Sequence, residues 1–292
     1  MTPGLAALIH PHPIAELVAH MQRSEPFVVH GLCDSVAGLV AIPLLASLDT
    51  LLDAWPDPVD VHLPDVADEA SSITVPTPEA RTRFASGMAL LFNEVQLHVP
   101  ALVTWLDGIR SDLDLSSLTQ QRSLVYATPA GTGTAAHFDQ NVNFVLQLHG
   151  TKTWWLAPNE NVDRPMTRHT IGLPVDPELQ SYSTLPMPEA MPAGRIEIVL
   201  EPGSLLFVPR GVWHSTRATT DALSLNFTFS APTWIDLLTA ALRGRLALSS
   251  DWRETAAPRS VATFEALLRE LAVDAQGWSA VDILAATEGD PH

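Results

Sequence analysis

Cysteine is nearly absent from this chain: Cys33 is the only one in 292 residues. No intrachain disulfide can form, and a disulfide-stapled scaffold is excluded. Basic residues are scarce as well. The chain has 16 Lys and Arg against 33 Asp and Glu, for a formal net charge of −17, and such a surface repels phosphate backbones and anionic membranes. We therefore expect no nucleic-acid partner and no membrane association. Long apolar runs are also missing, because Pro, Asp, His or Arg interrupts each of them well short of the roughly 20 residues a bilayer span requires. The N-terminus does not join a basic segment to an apolar run and a cleavage site, so the expected compartment is the cytoplasm. Charged residues make up 17% of the chain and apolar ones 46%. That balance fits either a large interior or a covered oligomer face, and we expect an oligomer.

The chain contains enough residues to bury a sizeable core. It shows neither internal repeats nor low-complexity segments. Residues 1–121 read as a mixed, mostly helical region. Ile14, Leu17, Val18 and Met21 keep helical spacing between Pro13 and Arg23. Pro43 opens a second helix carrying Leu44, Leu45, Leu48, Leu51 and Leu52, and Pro100 starts a third through Trp105, Leu106 and Ile109. Two β-rich runs, Pro26 to Gly31 and Val59 to Leu63, interrupt them.

From about Arg122 the period changes to two. Ser123 to Thr128, Phe138 to Leu148, Lys152 to Leu156, Arg195 to Leu200, Ser204 to Pro209 and Leu223 to Phe229 all read as strands. Gly150 and Pro202-Gly203 supply turns between them, as antiparallel pairing requires. We read residues 122–231 as a jelly-roll core. Pro158 to Pro192 is a proline-rich ordered loop inserted within it, and such loops often cover sites. Residues 232–292 return to helical spacing through Ile235, Leu238 and Leu242 and then Val261, Phe264, Leu267, Leu268 and Leu271. The second stripe needs covering, and a homodimer is the expected cover, with packing back on the chain's own helical N-terminal third as the alternative.

Alternate residues of a strand face one side, so His137 and Asp139 project together, as do Asn141 and Asn143. Burying unpaired polar groups costs on the order of 1–3 kcal/mol each, and a metal resolves that cost. A third candidate ligand, His214, follows the turn Pro209-Arg210-Gly211 and is expected to arrive on that turn. Two imidazoles and one carboxylate on one face of an octahedral ion leave three positions open, the arrangement non-haem Fe(II) oxygenases use. Lys152 follows the Gly150 turn at the head of an apolar strand, where a charge wants an anionic partner or an exit to water. Phe144, Trp154 and Trp213 neighbour these residues and either exclude water from the site or pack the core. The remaining histidines have no companion at ligand spacing, and Cys33 reads as a small buried hydrophobe.

The segments Thr134 to Asp139, Asn143, Gly150-Thr151-Lys152, Pro209 to His214 and Leu225-Asn226-Phe227 resemble the JmjC and cupin-like hydroxylases, over roughly Phe27 to Pro232. The resemblance implies a mainly β fold with helical flanks: a double-stranded β-helix of jelly-roll, cupin/JmjC type, with an N-terminal helical or mixed region and C-terminal helices. It implies that His137, Asp139 and His214 bind Fe(II), and that Lys152 holds the far carboxylate of 2-oxoglutarate. Thr134 and Asn143 would help hold this co-substrate, and Asn226 would lie beside it. Tyr126, upstream on the strand leading to the site, is read either as a contact of co-substrate or substrate or as a half-buried strand tyrosine. The activity implied is hydroxylation of a protein or peptide side chain, with release of succinate and CO2. A small molecule as substrate (a free amino acid or natural-product intermediate), N-demethylation, a non-catalytic cupin, and a cupin isomerase or hydrolase on another metal remain open. Lys152 and Asn143 argue against the third, and the lack of further His or Glu ligands against the fourth.

Overall fold

Alternating apolar residues in the central region build two antiparallel sheets that face each other, and the site lies between them. The computed structural model describes residues 2–32, 34, 36–62, 72–256 and 261–288. Cys33 and Leu63, read above as a buried hydrophobe and the end of a strand, lie outside them. The chain divides into two compact units, residues 1–114 with 120–230, and 115–119 with 231–292.

In the first unit, a sheet of eight strands collects β1 (Phe27–Val29), β2 (Val59–His62), β3 (Ser72–Val75), β4 (Ala89–Phe92) and β5 (Gln120–Thr128) with β7 (Val142–His149), β11 (Leu205–Val208) and β13 (Ala222–Ser230). Their order is β1-β11-β7-β13-β5-β4-β2-β3. The second sheet holds β6 (His137–Phe138), β8 (Lys152–Ala157), β9 (His169–Thr170), β10 (Ile196–Leu200) and β12 (Trp213–Ala218) in the order β10-β8-β12-β6-β9. Val145, Leu206 and Val208 from the large sheet meet Trp154, Leu156 and Leu200 from the small one in a buried cluster between the layers. This is the double-stranded β-helix expected from the alternation and the turns.

The N-terminal region is more β than its sequence suggests: it gives four strands to the large sheet. Its helices are α1 (Leu5–Leu8), α2 (Ile14–Gln22), α3 (Ala37–Val40), α4 (Leu48–Ala54), α5 (Thr77–Ala85) and α6 (Pro100–Asp112). The helix expected to run on from Pro43 is broken. Pro43–Leu45 forms a short 3-10 turn, and α4 starts afresh because Ser47 and Thr50 cap it reciprocally, each side chain accepting from the other's backbone N–H.

The run Phe138 to Leu148, read as one strand, is two strands in different sheets: the chain leaves the small sheet after Phe138 and joins the large one at Val142. The proline-rich loop is ordered and contains β9 and α7 (Pro177–Tyr182). Its Val162, Ile171, Val175 and Leu179 pack on Phe138 and Trp213, on the face of the small sheet turned away from the site. In the second unit, α8 (Trp234–Leu246) packs against α10 (Ala280–Glu288), and Arg245 on α8 makes a two-pronged ion pair with Asp274 at the end of α9 (Val261–Asp274). Among the described residues no helix is long and apolar enough to cross a membrane.

Candidate metal centre and co-substrate cavity

β12 pairs with β6 so that His214 stands directly opposite His137, with ring centroids 4.1 Å apart. Side chains alternate along each strand, so the two imidazoles point inward while Phe138 and Trp213 point outward under the loop. His214 is the second residue of β12 and is not on the turn itself, contrary to the sequence reading. The turn has another task, since the Gly211 N–H donates to the Asp139 carbonyl at 2.9 Å and fixes the backbone where the chain changes sheets.

The ring tautomers follow from their partners. His137 Nδ1 lies 2.7 Å from the Ala135 carbonyl, and His214 Nδ1 lies 2.9 Å from the Val212 carbonyl. A carbonyl can only accept, so each Nδ1 carries a proton, and in the neutral ring Nε2 presents the lone pair. Both lone pairs converge on Asp139 Oδ2, 4.0 Å from His137 Nε2 and 3.6 Å from His214 Nε2. Burial, with the neighbouring His137, pushes the His214 pKa down to about 4, so that ring is neutral at neutral pH. Burial would raise Asp139, but the positive charge of the two histidines when protonated, with that of Arg168, outweighs it and holds the carboxyl below its ordinary value. Two imidazole nitrogens and a carboxylate oxygen thus meet at one point, the donor set a divalent cation takes. Their ligand atoms lie within 4.8 Å of one another, and among the described residues this is the single such His/Cys/Asp/Glu cluster.

The centre opens into a cavity of about 180 Å³. Lys152, 4% exposed, lines it from β8, donating to Thr128 Oγ1 at 3.0 Å with the Tyr126 and Trp154 rings 5.8 and 6.0 Å from its ammonium. Thr134, Asn143, Asn226 and Tyr126 line it as well. Thr134 bonds Thr216 Oγ1 through its backbone N–H and its hydroxyl. Asn143 accepts from Thr228 at 2.7 Å and turns its amide toward Asp139 Oδ2, 3.5 Å away. Asn141 also reaches the cavity, anchored by Ser230. Of the three aromatic neighbours only Trp154 lines the cavity, stacked on His214 at 5.7 Å, whereas Phe144 packs against Phe207 and Phe229.

Among the buried polar atoms on the cavity wall, Asn226 Oδ1 and Trp154 Nε1 have no hydrogen-bond partner. An orphaned acceptor and an orphaned donor beside a buried ammonium and this donor set suit a bound metal and a polar anionic ligand. Arg122 and Arg168 line the same cavity and were missed in the sequence. Arg168 sits in a loop without periodicity, and Arg122 is one residue of a strand read only for its apolar alternation.

A protein-family profile described as JmjC domain matches residues 103–237, which contain the whole centre. The chain is 35% identical over 259 residues to protein YxbC of Bacillus subtilis (strain 168), covering 86% of this chain and 78% of that one. It is 36% identical over 138 residues to ribosomal oxygenase 1 of Gallus gallus, covering 44% of this chain but only 21% of that protein. Among solved structures it matches YcfD, a ribosomal oxygenase from Escherichia coli, in complex with cobalt and succinic acid. That match has a TM-score of 0.53 at 18% identity and covers 94% of this chain and 69% of that one. The chain belongs to the JmjC family of Fe(II)- and 2-oxoglutarate-dependent oxygenases.

Proposed function

We propose that His137, Asp139 and His214 bind Fe(II), that Lys152 holds the far carboxylate of 2-oxoglutarate, and that the enzyme hydroxylates a side chain of a protein or peptide. The observation that carries this reading is the meeting of two imidazole nitrogens and a carboxylate oxygen at one point, with a buried lysine on the wall of the same cavity. Bound together, iron and 2-oxoglutarate supply the oxidising power that puts one atom of dioxygen into a C–H bond while succinate and CO2 leave.

The chain's own residues bind, orient and shield. The Ala135 and Val212 carbonyls keep both Nε2 atoms free for metal. Thr128, Tyr126 and Trp154 hold the Lys152 ammonium in place for a carboxylate. Thr134, Asn143 and Asn226 frame the co-substrate, with Asn226 Oδ1 free to accept from a ligand. Trp154, stacked on His214, keeps water from that ligand.

The free space lies below the roughly 300–1,000 Å³ of pockets for drug-sized ligands, so it suits a small dicarboxylate and the tip of one side chain. Similarity to ribosomal oxygenase 1 and to the histidyl-hydroxylase NO66 of Dictyostelium discoideum favours a protein substrate. The net charge of −17 favours a basic one. The single cysteine suits a reducing cytoplasm. We take residues 122–231 as the catalytic core, 1–121 as the region packing on it, and 232–292 as an appendage whose exposed Val261, Phe264 and Leu268 serve a homodimer.

The test is succinate formation from 2-oxoglutarate with Fe(II) and ascorbate, first alone and then with basic proteins from cell extract, followed by mass spectrometry for peptides that gain one oxygen atom. Succinate should form with the wild type and not with His137→Ala. Succinate from neither protein would leave a non-catalytic cupin as the better reading.

A further inference from the structure

Asp139 offers two chemically equivalent oxygens, and rotation about its last side-chain bond is soft, so a carboxylate in this position does not choose its ligand atom unaided. The structure shows a choice already made. Oδ2 faces both histidines and the Asn143 amide, while Oδ1 faces Arg168, whose Nε lies 3.5 Å away.

The position of Arg168 is set by sheet register. β9 pairs antiparallel with β6, His137 opposite Thr170 and Phe138 opposite His169. Asp139 and Arg168 each lie one step beyond the paired ends, where the same register continued places Arg168 beside Asp139, in keeping with the 3.5 Å contact. The segment leading to it is tied down from the other side of the centre. Arg210, in the turn before His214, donates from Nε to the Pro165 carbonyl at 2.8 Å and from Nη2 to the Arg164 carbonyl at 3.1 Å, and the Tyr182 hydroxyl accepts from the Met166 N–H at 2.9 Å. Beyond the pair of strands, the Ile171 N–H closes on the Ala136 carbonyl at 2.9 Å. The side chain of Arg168 is 24% exposed and lines the cavity. A surface loop that only covered the outer apolar face would need none of this stitching next to the carboxylate.

We infer that Arg168 is a positioning residue for the metal-binding carboxylate: it holds Asp139 Oδ1 so that Oδ2 alone is presented with the two imidazole nitrogens. The inference rests on the metal-centre reading above, and it gives the proline-rich loop a part in the centre beyond covering the sheet. Groups that orient metal ligands from behind typically change metal affinity or activity about 10- to 100-fold when removed. Bare electrostatics predicts the opposite sign, since a guanidinium beside a cation repels it and its loss should tighten binding. The direction of the change therefore decides between the two.

The experiment is Mn2+ titration of the full-length protein without co-substrate, followed by calorimetry and by the electron paramagnetic resonance spectrum of the bound ion. Arg168→Met, which keeps the stem and removes the fork, should bind Mn2+ about 10- to 100-fold more weakly and alter the spectrum. Arg168→Lys, which keeps one charge without the fork, should recover part of the affinity. The metal-free melting temperature of Arg168→Met should stay close to that of the wild type, which separates positioning from a general loss of fold. Equal or tighter Mn2+ binding by Arg168→Met overturns the inference while leaving the centre intact. Failure of the wild type to bind Mn2+ removes the centre, and the inference with it.

Discussion

A free imidazole titrates near 6.5, whereas burial brings His214 to about 4, and this difference sets how the metal-free protein responds to acid. Between those values the unfolded chain holds a proton on His214 that the folded chain does not, so falling pH favours unfolding. The stability is fully present above about pH 6.5 and is lost as the pH falls through about 4. Its size is on the order of 3 kcal/mol. Asp139, held below its ordinary carboxyl value, adds stability that disappears further down in the same direction. Urea unfolding of the metal-free protein between pH 7 and pH 4 should show the decline, and His214→Asn should flatten it. An equally steep decline in the variant would show that other groups dominate. Lys152 gives a second prediction, because on the proposed reading Lys152→Ala would leave the far carboxylate of 2-oxoglutarate without its buried partner. Loss of one side of such a pair costs about 3–5 kcal/mol, a few hundredfold or more in affinity. Calorimetry on the Mn2+-loaded protein should show that loss with Mn2+ binding itself unchanged; equal 2-oxoglutarate binding by the variant would take Lys152 out of its role. The inward-facing positions of His137, Asp139 and Lys152 were legible because alternation and turns mark them, whereas His214 was singled out but read on a turn and lies in β12. Arg168 was not legible, because the register that brings it beside Asp139 is set by two paired residues in a segment with no periodic signal.

At the level of strands, the site depends on close backbone approaches that only glycine permits. A β-carbon on Gly133 would run into the Thr216 carbonyl, and one on Gly150 into the Asp221 carbonyl, where the backbone is also left-handed at φ +67°. Gly133→Ala should therefore destabilise the protein by about 1–3 kcal/mol in urea unfolding and weaken 2-oxoglutarate binding, by pushing Thr134 away from Thr216. A variant as stable as the wild type would mean that the loop yields at little cost. Most central strands were legible as β-rich runs between turns, whereas β9 and β12 were not read as strands. The change of sheet at Asp139 was hidden, since Phe138 to Leu148 keeps an unbroken β-rich composition across it. In the N-terminal region, Ala89–Phe92 is a four-residue apolar run that suits a helix or a strand equally, and only its pairing with β5 decides.

Across the molecule, the helices after the barrel leave large apolar side chains in water: Phe264 is 55% exposed and Leu268 44%. If a second copy covers them, Phe264→Asp with Leu268→Asp should halve the mass seen by light scattering and leave succinate formation intact. An unchanged mass would remove the dimer. The barrel's connectivity also governs when the centre can come into being. The two imidazoles share one rung of adjacent strands, yet they occupy positions 137 and 214, with the proline-rich loop and β10 and β11 threaded between them. A chain emerging from the ribosome presents His137 and Asp139 long before His214 exists, and β12 takes its place only by pairing with β8 and β6. Contacts this distant in sequence form late in folding. For the iron site proposed above, capture would wait until the barrel is nearly finished, so a half-synthesised chain would hold no complete centre that could turn oxidant on its own exposed residues.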